Sequence, residues 1–422
     1  MSTRIVVVGA GFAGLTAVQR LKGAPVDITL IDRTNHHLFQ PLLYQVATGG
    51  LSPADIAAPV RHILRRQKNV RVLEDTVRAI DADAVITDTA RVPFDVLIVA
   101  TGATHHYFGN ADWAEHAPGL KTLPDAVRLR TRILEAFEEA ERSGAGDLIF
   151  LVIGGGPTGV EMAGAISEMA HDTLRQDFRR FDPSESRVLL VEAEDRVLAH
   201  YPAALSRRAE EQLVELRVEV MTGWRIVHLD ASTAVLQSED TVVHLEPQVV
   251  VWAAGVKASP LGGELTKLGA DLDRAGRVIV EPDLTVPGHP SIYVVGDLAA
   301  VGQGEGMVPG VAPAAMQMGE YVADRLLGRT SSPFAYKDKG SLATIGRSAG
   351  VADLGRIRFW GFPAWAAWLG IHIFFLIGFR SRLAVMSQWA WSYITRDRSA
   401  RLIVRYHGEA TPAEERDSDA TG

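Results

Sequence analysis

Cysteine is absent from this sequence. Because disulfide bonds, thiolate metal sites and redox-active thiol pairs all need cysteine, the sequence excludes each of them. An excess of positive charge is also absent, since 43 Lys and Arg residues stand against 51 Asp and Glu residues, for a formal net charge of −8. A nucleic-acid partner is therefore not expected, because such proteins usually carry basic surfaces.

The N-terminal residues lack the Arg-rich or Ser-rich composition of a targeting leader, and an apolar strand is predicted to begin around Ile5. We therefore expect no signal peptide. Hydrophobic residues make up 47% of the 422 residues and charged residues 22%, which is the composition of an ordinary globular protein. The length predicts about two or three domains.

One order of elements, strand then helix then strand, occurs twice in the chain. The first copy is predicted at residues 4–8, 12–22 and 26–31. The second copy is predicted at residues 148–153, 158–171 and 187–191. Short β-branched runs bounded by glycine are typical of buried parallel strands. A late strand, residues 292–297, is predicted to return to the sheet of the first copy.

The turn after the first strand carries the motif G-x-G-x-x-G, formed by Gly9, Gly11 and Gly14. In this motif the first glycine permits a tight turn, the second lets a pyrophosphate approach the backbone, and the third lets helix and strand pack closely. The N–H groups at the start of the helix then face the phosphates. Asp32 ends the second strand and can accept hydrogen bonds from ribose hydroxyls. A dinucleotide site is therefore predicted here.

The second copy repeats the motif at Gly154, Gly156 and Gly159, with Glu192 as its acidic residue. A carboxylate at this point repels the 2′-phosphate of NADPH, and no basic residue follows before Arg196. Two such units in one chain indicate two bound dinucleotides. We predict that the second unit binds NADH in preference to NADPH.

The ends of two predicted strands indicate which unit binds a flavin. Thr101 and Gly102 follow one predicted strand, and Gly296 and Asp297 end another. The second pair resembles the flavin-side signature of flavoproteins with two dinucleotide sites, in which the Asp holds the ribityl chain. This assigns FAD to the N-terminal unit and NADH to the middle one, with Gly255 in the loop that returns between them.

Residues 309–317 are predicted to form a loop that enters a helix, with Pro313 in the first turn. A helix N-terminus aimed at a flavin would stabilise negative charge on the reduced pyrimidine ring. Gln317 lies one turn into this helix. It either hydrogen-bonds a carbonyl group or is a solvated helix residue.

Neither a metal site nor a hydrolytic nucleophile is indicated. His36 and His37 are adjacent on a predicted turn, where neighbouring side chains diverge, and no second cluster of ligands is evident. The Ser, His and Asp residues show no nucleophile-elbow pattern. The chemistry is therefore expected to be carried by the cofactors.

Four segments of the chain resemble the type II NADH dehydrogenases, which are single-polypeptide NADH:quinone oxidoreductases. These segments are residues 5–14, 31–49, 153–161 and 295–297, and the loop at residues 35–49 is the most diagnostic. The resemblance extends to about residue 395. It implies an α/β fold of two Rossmann-like dinucleotide-binding domains, for FAD and NADH, followed by a C-terminal membrane-attachment region.

The resemblance also implies roles for individual residues. Glu161 falls where the family has an acidic residue beside nicotinamide and flavin, and it is expected with Gln317 to be catalytic. The family's loop after the acidic residue lies along the flavin, and Val77 is expected near the adenine. The residues expected to bind FAD are Gly9, Gly11, Gly14, Asp32, Arg33, Leu42, Leu43, Val77, Thr101, Gly102, Gly296, Asp297 and Ala315. Those expected to bind NADH are Gly154, Gly156, Gly159, Glu161, Glu192 and Gly255, and those expected to line the quinone site are Pro313, Ala314 and Gln317.

The quinone segment departs from the family pattern. Many members read Ala-Gln-x-x-x-Gln, whereas this chain has Pro313 in place of the first Gln. A quinone hydrogen bond credited to that side chain is lost. The departure leaves the quinone type, ubiquinone or menaquinone, open.

Residues 359–379 form an uncharged stretch, flanked by Arg356 and Arg358 before it and by Arg380 and Arg382 after it. Its length suits a transmembrane helix, but after the interrupting proline only about 25 Å of helix is available. Tryptophans beside arginines suit the headgroup level of a bilayer. Interfacial attachment, a span, and a buried or dimer helix are the alternatives. The resemblance implies monotopic attachment, expected at the cytoplasmic face of a bacterial inner membrane, and a homodimer is possible.

The expected domain limits follow from these segments. Residues 1–115 and 256–330 form a discontinuous FAD domain, residues 116–255 the NADH domain and residues 331–407 the C-terminal domain. Residues 408–422 are polar and acidic and are expected to be a disordered tail.

The sequence is therefore interpreted as an NADH:quinone oxidoreductase without a proton pump, since a pump needs ionisable residues within spanning helices and no such apparatus is visible. Hydride passes from NADH to FAD, and a membrane quinone takes two electrons. Thiol-linked relatives, such as disulfide reductases and sulfide:quinone reductases, are excluded by the missing cysteines. The remaining alternatives are a reductase of a soluble electron-transfer protein and a non-catalytic NADH-sensing flavoprotein.

Overall fold

The computed structural model describes residues 2–144, 147–304, 306–377, 379–395, 398 and 400–404. The tail at residues 408–422, predicted to be disordered, lies outside this range, as does the side chain of Arg380.

The strands follow the chain in this order: β1 (Thr3–Val8), β2 (Val26–Asp32), β3 (His36–Leu38), β4 (Ala57–Pro59), β5 (Val70–Glu74), β6 (Val77–Ile80), β7 (Ala84–Thr87), β8 (Arg91–Pro93), β9 (Val96–Val99), β10 (Ala103–His105), β11 (Ile149–Ile153), β12 (Arg187–Glu192), β13 (Val218–Thr222), β14 (Arg225–Leu229), β15 (Ala234–Ser238), β16 (Thr241–Leu245), β17 (Val249–Trp252), β18 (Val256–Ala258), β19 (Val278–Ile279), β20 (Thr285–Val286), β21 (His289–Val294), β22 (Ala299–Ala300), β23 (Gly302–Gln303), β24 (Gly306–Met307), β25 (Ser341–Thr344), β26 (Gly350–Asp353) and β27 (Arg358–Trp360).

The α-helices are α1 (Phe12–Arg20), α2 (Leu43–Ala47), α3 (Pro53–Ile56), α4 (Val60–Leu64), α5 (Trp113–His116), α6 (Leu123–Ser143), α7 (Pro157–Glu168), α8 (Ala203–Glu215), α9 (Gly262–Leu265), α10 (Ala312–Leu326), α11 (Phe362–Phe375) and α12 (Phe379–Thr395). Short 3₁₀ turns occur at Gln40–Leu42, Pro183–Glu185, Thr266–Leu268 and Gly296–Leu298, and a π-helical turn, Met169–Thr173, extends α7.

The first sheet has the strand order β20-β21-β9-β1-β2-β5. All its pairs are parallel except β20 with β21. The late strand β21 pairs with β9, which confirms that the chain returns to the first sheet. The predicted first helix is confirmed as α1, although it ends two residues earlier, at Arg20.

The second sheet has the order β13-β12-β11-β17, and all its strands are parallel. Its first helix, α7, begins at Pro157, one residue before the predicted start. This is a second βαβ unit of the same design, so the α/β class is confirmed. Strand β10 leaves the first unit and pairs antiparallel with β18, which returns from the second.

The C-terminal part adds an antiparallel sheet, β25-β26-β27, and the helices α11 and α12. On α11, Trp368 and Ala364 are buried in the protein, whereas Phe374 is 69% exposed. Helix α11 is therefore both a core element and an exposed apolar element. Among the residues that the structure describes, no helix has the length and hydropathy needed to cross a membrane.

Candidate functional site

The glycine loop after β1 has a different physical requirement at each glycine. Gly9 has a φ of +104°, and a Cβ atom there would lie 2.4 Å from the carbonyl oxygen of Ala100. A Cβ atom on Gly14 would lie 1.9 Å from the carbonyl oxygen of Gly9. A Cβ atom on Gly11 would meet no atom within 4 Å. The fold therefore requires the first and third glycines, whereas the second leaves the start of α1 accessible to a ligand.

The loop after β11 repeats this geometry. Gly154 has a φ of +107°, and a Cβ atom there would lie 2.7 Å from the carbonyl carbon of Ala253. A Cβ atom on Gly159 would lie 1.8 Å from the carbonyl oxygen of Gly154, and one on Gly156 would meet nothing within 4 Å. The two loops thus present equivalent open backbones at the starts of α1 and α7.

The acidic residue of each unit is tied to its own glycine loop. The backbone N–H of Ala10 donates to a carboxylate oxygen of Asp32 at 2.6 Å, and that of Gly155 donates to Glu192 at 2.5 Å. In both units the other carboxylate oxygen accepts from a backbone N–H two residues further on. A carboxylate has further acceptor positions. Each acid is therefore held beside the loop with capacity for ribose hydroxyls.

Further residues expected at the flavin converge on the same end of the first sheet. Gly296 has a φ of +72°, and a Cβ atom there would lie 3.5 Å from Cβ of Ala13 and 3.7 Å from Cβ of Ala315. The hydroxyl of Thr101 is buried and has no hydrogen-bond partner among the described residues. Such a hydroxyl needs a polar partner. The open loop and this hydroxyl fit a bound dinucleotide.

The other residues expected beside the flavin have different surroundings. Leu42 and Leu43 are buried, at 0% and 2% exposure, in the core shared with the second unit. Val77 lies half-buried on β6, and Arg33 is exposed. Their contact with a flavin stays a prediction.

His37, which the sequence did not indicate as a metal ligand, has a structural role. His37 is 2% exposed, and its Nδ1–H donates to the carbonyl oxygen of Ala10 at 2.8 Å. Burial lowers its pKa, so the ring is neutral. This hydrogen bond braces the first glycine loop.

Helix α10 begins beside these residues, with Pro313 in its first turn and Ala314 buried. The amide of Gln317 is engaged at both ends. Its nitrogen donates to the carbonyl oxygen of Lys337 at 3.0 Å, and its oxygen accepts from the N–H of Lys337 at 2.9 Å. A quinone carbonyl only accepts hydrogen bonds, so Gln317 has to donate its second amide N–H to it or give up the bond to Lys337. Its role at the quinone site stays a prediction.

Glu161 lies in the second turn of α7, between the second unit and the C-terminal part. Burial raises the pKa of its carboxyl group to about 8, although hydrogen bonds with the backbone of Thr344 and the side chain of Trp368 oppose this rise. The indole of Trp368 can take part only as a donor, through Nε1–H. Glu161 is therefore protonated at neutral pH.

Two tyrosines accompany this carboxyl group. Burial first, and the charge of Glu161 second, raise the pKa of Tyr44 and of Tyr201 well above the usual range. Both phenols are therefore neutral under physiological conditions. They surround Glu161 without compensating charge, which is consistent with its holding a proton.

A cavity of about 100 Å³ opens nearby, between α7 and the two C-terminal helices. Its walls include Tyr44, Trp365, Trp368 and Trp389. Its polar side contains Glu168, which forms a 3.0 Å ion pair with Arg398. The cavity could hold a flat, largely apolar molecule against aromatic rings.

Several residues around Glu161 were missed by sequence reasoning, namely Thr344, Trp368, His372 and Tyr201. One signal was present for part of this group. Trp365, Trp368 and His372 are spaced by three and four residues, which places them along one side of a helix. Tyr201 and Thr344 lie 40 and 183 positions after Glu161 along the chain, so no local pattern indicates them.

Comparison with known proteins identifies the family. The model of the pyridine nucleotide-disulphide oxidoreductase family matches residues 3–319. A type II NADH:quinone oxidoreductase of Mycobacterium tuberculosis is 46% identical over 420 residues, which cover 95% of this chain and 90% of the relative. The enzyme of the same name from Staphylococcus haemolyticus is 30% identical over 363 residues, covering 82% and 89%.

Solved structures agree on the fold. NDH2 of Plasmodium falciparum, determined in complex with NADH, aligns with a TM-score of 0.86 at 19% identity and covers 96% of this chain and 100% of its own. The sulfide:quinone oxidoreductase of Aquifex aeolicus aligns with a TM-score of 0.70 at 17% identity, covering 99% and 95%. These two likenesses concern the fold alone, whereas the sequence relatives establish the family. The chain belongs to the pyridine nucleotide-disulphide oxidoreductases and, among them, to the type II NADH:quinone oxidoreductases.

Proposed function

We propose that this NADH:quinone oxidoreductase uses FAD as its flavin, held by the first unit, and binds NADH in the second. The observation that carries the proposal is the pair of equivalent glycine loops, since FAD and NADH are both dinucleotides and each needs such a loop. A bound flavin supplies the acceptor for the hydride of NADH and the donor of two electrons to the quinone. The chain's own residues bind and orient the flavin, NADH and the quinone, and they supply a proton for quinone reduction.

In this proposal the first loop holds the FAD. The open backbone at Gly11 and the N-terminus of α1 face the pyrophosphate, and Asp32 accepts from the ribose. Thr101 and Asp297 supply polar groups further along the cofactor. The N-terminus of α10 favours negative charge at the pyrimidine ring.

The second loop holds NADH in the same manner. Gly156 leaves room for the pyrophosphate at the N-terminus of α7, and Glu192 accepts from the adenosine ribose. The carboxylate of Glu192 disfavours a 2′-phosphate, which supports NADH over NADPH as donor.

Glu161 is proposed as the acid that holds a proton for the reaction. Reduction of a quinone to a quinol consumes two protons together with two electrons. A carboxyl group whose pKa is about 8 carries its proton at neutral pH and can release it. Its place on α7, four residues after the helix begins at Pro157, puts this proton close to the second loop.

We further propose that α11 and α12 attach the enzyme to one leaflet, on the cytoplasmic face of a bacterial inner membrane. Exposed apolar side chains on these helices support this, with Phe374 at 69%, Trp391 at 61% and Ile394 at 79% exposure. The domain limits expected above, residues 1–115 with 256–330, 116–255 and 331–407, and a possible homodimer, belong to the same proposal.

A turnover assay tests the central claim. Detergent-purified protein is assayed for NADH oxidation with and without a short-chain quinone, and with ubiquinone and menaquinone analogues. The released cofactor is identified by chromatography. Quinone-dependent turnover and one FAD per chain are expected. Release of FMN, or turnover with a soluble iron–sulfur protein but no quinone, would contradict the proposal.

A further inference from the structure

We propose that Phe108 is a binding residue for the nicotinamide half of NADH, and that its exposed ring forms one wall of the site at the second glycine loop. The inference rests on the proposed function, in which that loop holds NADH. Phe108 lies in the turn that follows β10, where the chain passes from the first unit towards the second.

The backbone of Phe108 is left-handed, with a φ of +50°. This conformation is rare for a bulky residue, because its Cβ atom lies too close to the following carbonyl oxygen. The ring is also 61% exposed, so burial alone does not account for a large apolar side chain at this position. Strained residues of this kind cluster at sites that bind ligands or carry out chemistry.

Phe108 places its ring on the loop that follows β17. A Cβ atom on Gly255 would lie 2.6 Å from Cζ of Phe108, so the ring covers this glycine closely. The ring centroid lies 4.6 Å from that of His106 and 6.2 Å from that of Trp252. The indole N–H of Trp252 donates to the carbonyl oxygen of His106 at 3.0 Å. The turn that carries Phe108 is therefore tied to the end of β17.

The loop after β17 also packs against the second glycine loop. A Cβ atom on Gly154 would lie 2.7 Å from the carbonyl carbon of Ala253 and 2.7 Å from the backbone nitrogen of Ala254. Gly255, under the Phe108 ring, is the next residue along the chain. These contacts place the ring beside the proposed NADH site.

The strand order decides which half of the dinucleotide reaches Phe108. In the order β13-β12-β11-β17, the winding of the chain reverses between β11 and β17, and a dinucleotide binds across the carboxyl ends of the strands at such a point. Glu192 ends β12, so the adenosine ribose lies on that side of the glycine loop. The nicotinamide half then extends to the other side, over the end of β17. Nicotinamide is a planar ring, which packs favourably against an aromatic side chain.

The test compares two ligands on the flavin-loaded full chain. NAD⁺ carries the nicotinamide half and does not reduce the flavin, whereas ADP carries only the adenosine and two phosphates. In Phe108→Ala, which removes the ring, calorimetric titration is expected to show an affinity for NAD⁺ lowered by about fivefold or more and an unchanged affinity for ADP. The KM for NADH with a short-chain quinone should rise by a similar factor.

Two further variants separate the ring from the backbone that carries it. Phe108→Tyr keeps an aromatic ring and is expected to retain the affinity for NAD⁺. Phe108→Gly lacks the ring and relieves the left-handed strain, so it should unfold at a higher urea concentration than Phe108→Ala and bind NAD⁺ as weakly. If Phe108→Ala does not fold, Phe108→Gly carries the same comparison of ligands.

The matched control is Glu239→Gly. Glu239 is another exposed residue with a left-handed backbone, at a φ of +48°, in the turn between β15 and β16. Relief of strain in that turn is expected to leave the affinities for NAD⁺ and ADP unchanged. A lowered NAD⁺ affinity in this variant would mean that the effect does not belong to the Phe108 ring, and the inference would fail.

The outcomes separate the inference from the proposed function. An unchanged NAD⁺ affinity in Phe108→Ala overturns the inference, as does an equal loss for ADP, because the turn then only supports the glycine loop. A loss in Phe108→Tyr as large as in Phe108→Ala overturns it too. The proposed function has its own variant, Gly156→Val, which is expected to weaken both ligands. Wild-type affinity of Gly156→Val for both ligands would overturn the assignment of NADH to the second unit, and the inference with it.

Discussion

At the scale of single residues, the two glycine loops distinguish positions that the fold needs from positions that a ligand needs. Gly9 and Gly154 have left-handed backbones and close neighbours, so substitution there damages the fold itself. Gly11 and Gly156 have room for a side chain. Changes at these two positions therefore report on ligand binding with little effect on stability.

Gly11→Val and Gly156→Val are expected to separate the two cofactors. The side chain of Gly11→Val lies where the FAD pyrophosphate is proposed to approach, so the purified protein is expected to be nearly colourless. Gly156→Val should keep its yellow colour and lose NADH affinity by at least about tenfold. Visible absorption per chain and NADH titration measure both effects. Gly263→Ala, another position with open space, is the control. A normal flavin content in Gly11→Val would contradict the assignment of FAD to the first unit.

Glu192 is expected to set the preference for NADH. The wild-type kcat/KM for NADH should exceed that for NADPH by at least about tenfold. Glu192→Gln keeps an oxygen to accept from Gly155 N–H and removes the charge, so the NADPH to NADH ratio of kcat/KM should rise by about tenfold. Glu194→Gln, exposed nearby, should leave the ratio unchanged. Equal use of both donors by the wild type would refute this explanation.

At the scale of elements, α11 is partly a buried core helix, which was one of the three alternatives, and partly an exposed apolar surface. It spans 14 residues, about 21 Å, with an inward-facing tryptophan and outward-facing phenylalanines. Deleting the chain after Arg356 would remove buried Trp368, Leu376 and Val385 from the core, so such a truncation is expected to disturb folding. Surface substitutions are therefore the appropriate test of attachment.

Replacing Phe374 and Phe375 together by Glu is expected to release the enzyme from lipid vesicles while FAD stays bound. Phe374 and Phe375 are 69% and 37% exposed, so charge is tolerated there in water and opposed in a bilayer. Vesicle flotation and absorption spectra measure attachment and flavin. The control is Val242→Glu, on β16, because the Val242 side chain is 50% exposed and lies away from α11 and α12. This variant adds a charge elsewhere on the surface and should still float with the vesicles. A double variant that remains vesicle-bound would show that attachment does not depend on this surface.

At the scale of the whole molecule, the parts are joined by buried polar contacts as well as by the core. Arg398 forms a 3.0 Å ion pair with Glu168, at the end of α7, and donates to the carbonyl oxygen of Thr48 at 3.1 Å. The N–H of Arg347, after β25, also donates to Glu168. These contacts connect the C-terminal part, the second unit and the loop that follows α2.

Glu168→Gln is expected to destabilise the molecule strongly. The Glu168 and Arg398 side chains are only 12% and 10% exposed, so loss of the carboxylate removes a close negative charge from a poorly hydrated cation. The free energy of unfolding should fall by about 3 kcal/mol or more. Urea unfolding, followed by tryptophan fluorescence, measures the change. Glu139→Gln breaks the exposed pair with Arg142 and should cost less than about 1 kcal/mol. Equal losses of unfolding free energy in the two variants would mean that burial does not strengthen the contribution of the Glu168–Arg398 ion pair.

The sequence by itself determined the two βαβ units, their glycine loops and the acids Asp32 and Glu192. Each of these patterns lies within a single βαβ segment, and the steric and hydrogen-bond rules for such segments can be applied to the sequence directly. Tertiary structure alone decided what surrounds Glu161. Tyr44, Trp368 and Thr344 reach it from separate parts of the chain, and only the packing of α7, α11 and β25 brings them together. Tertiary contacts also engaged Gln317, on α10, with Lys337 and divided α11 between core and surface, because burial depends on neighbours that a sequence pattern does not specify.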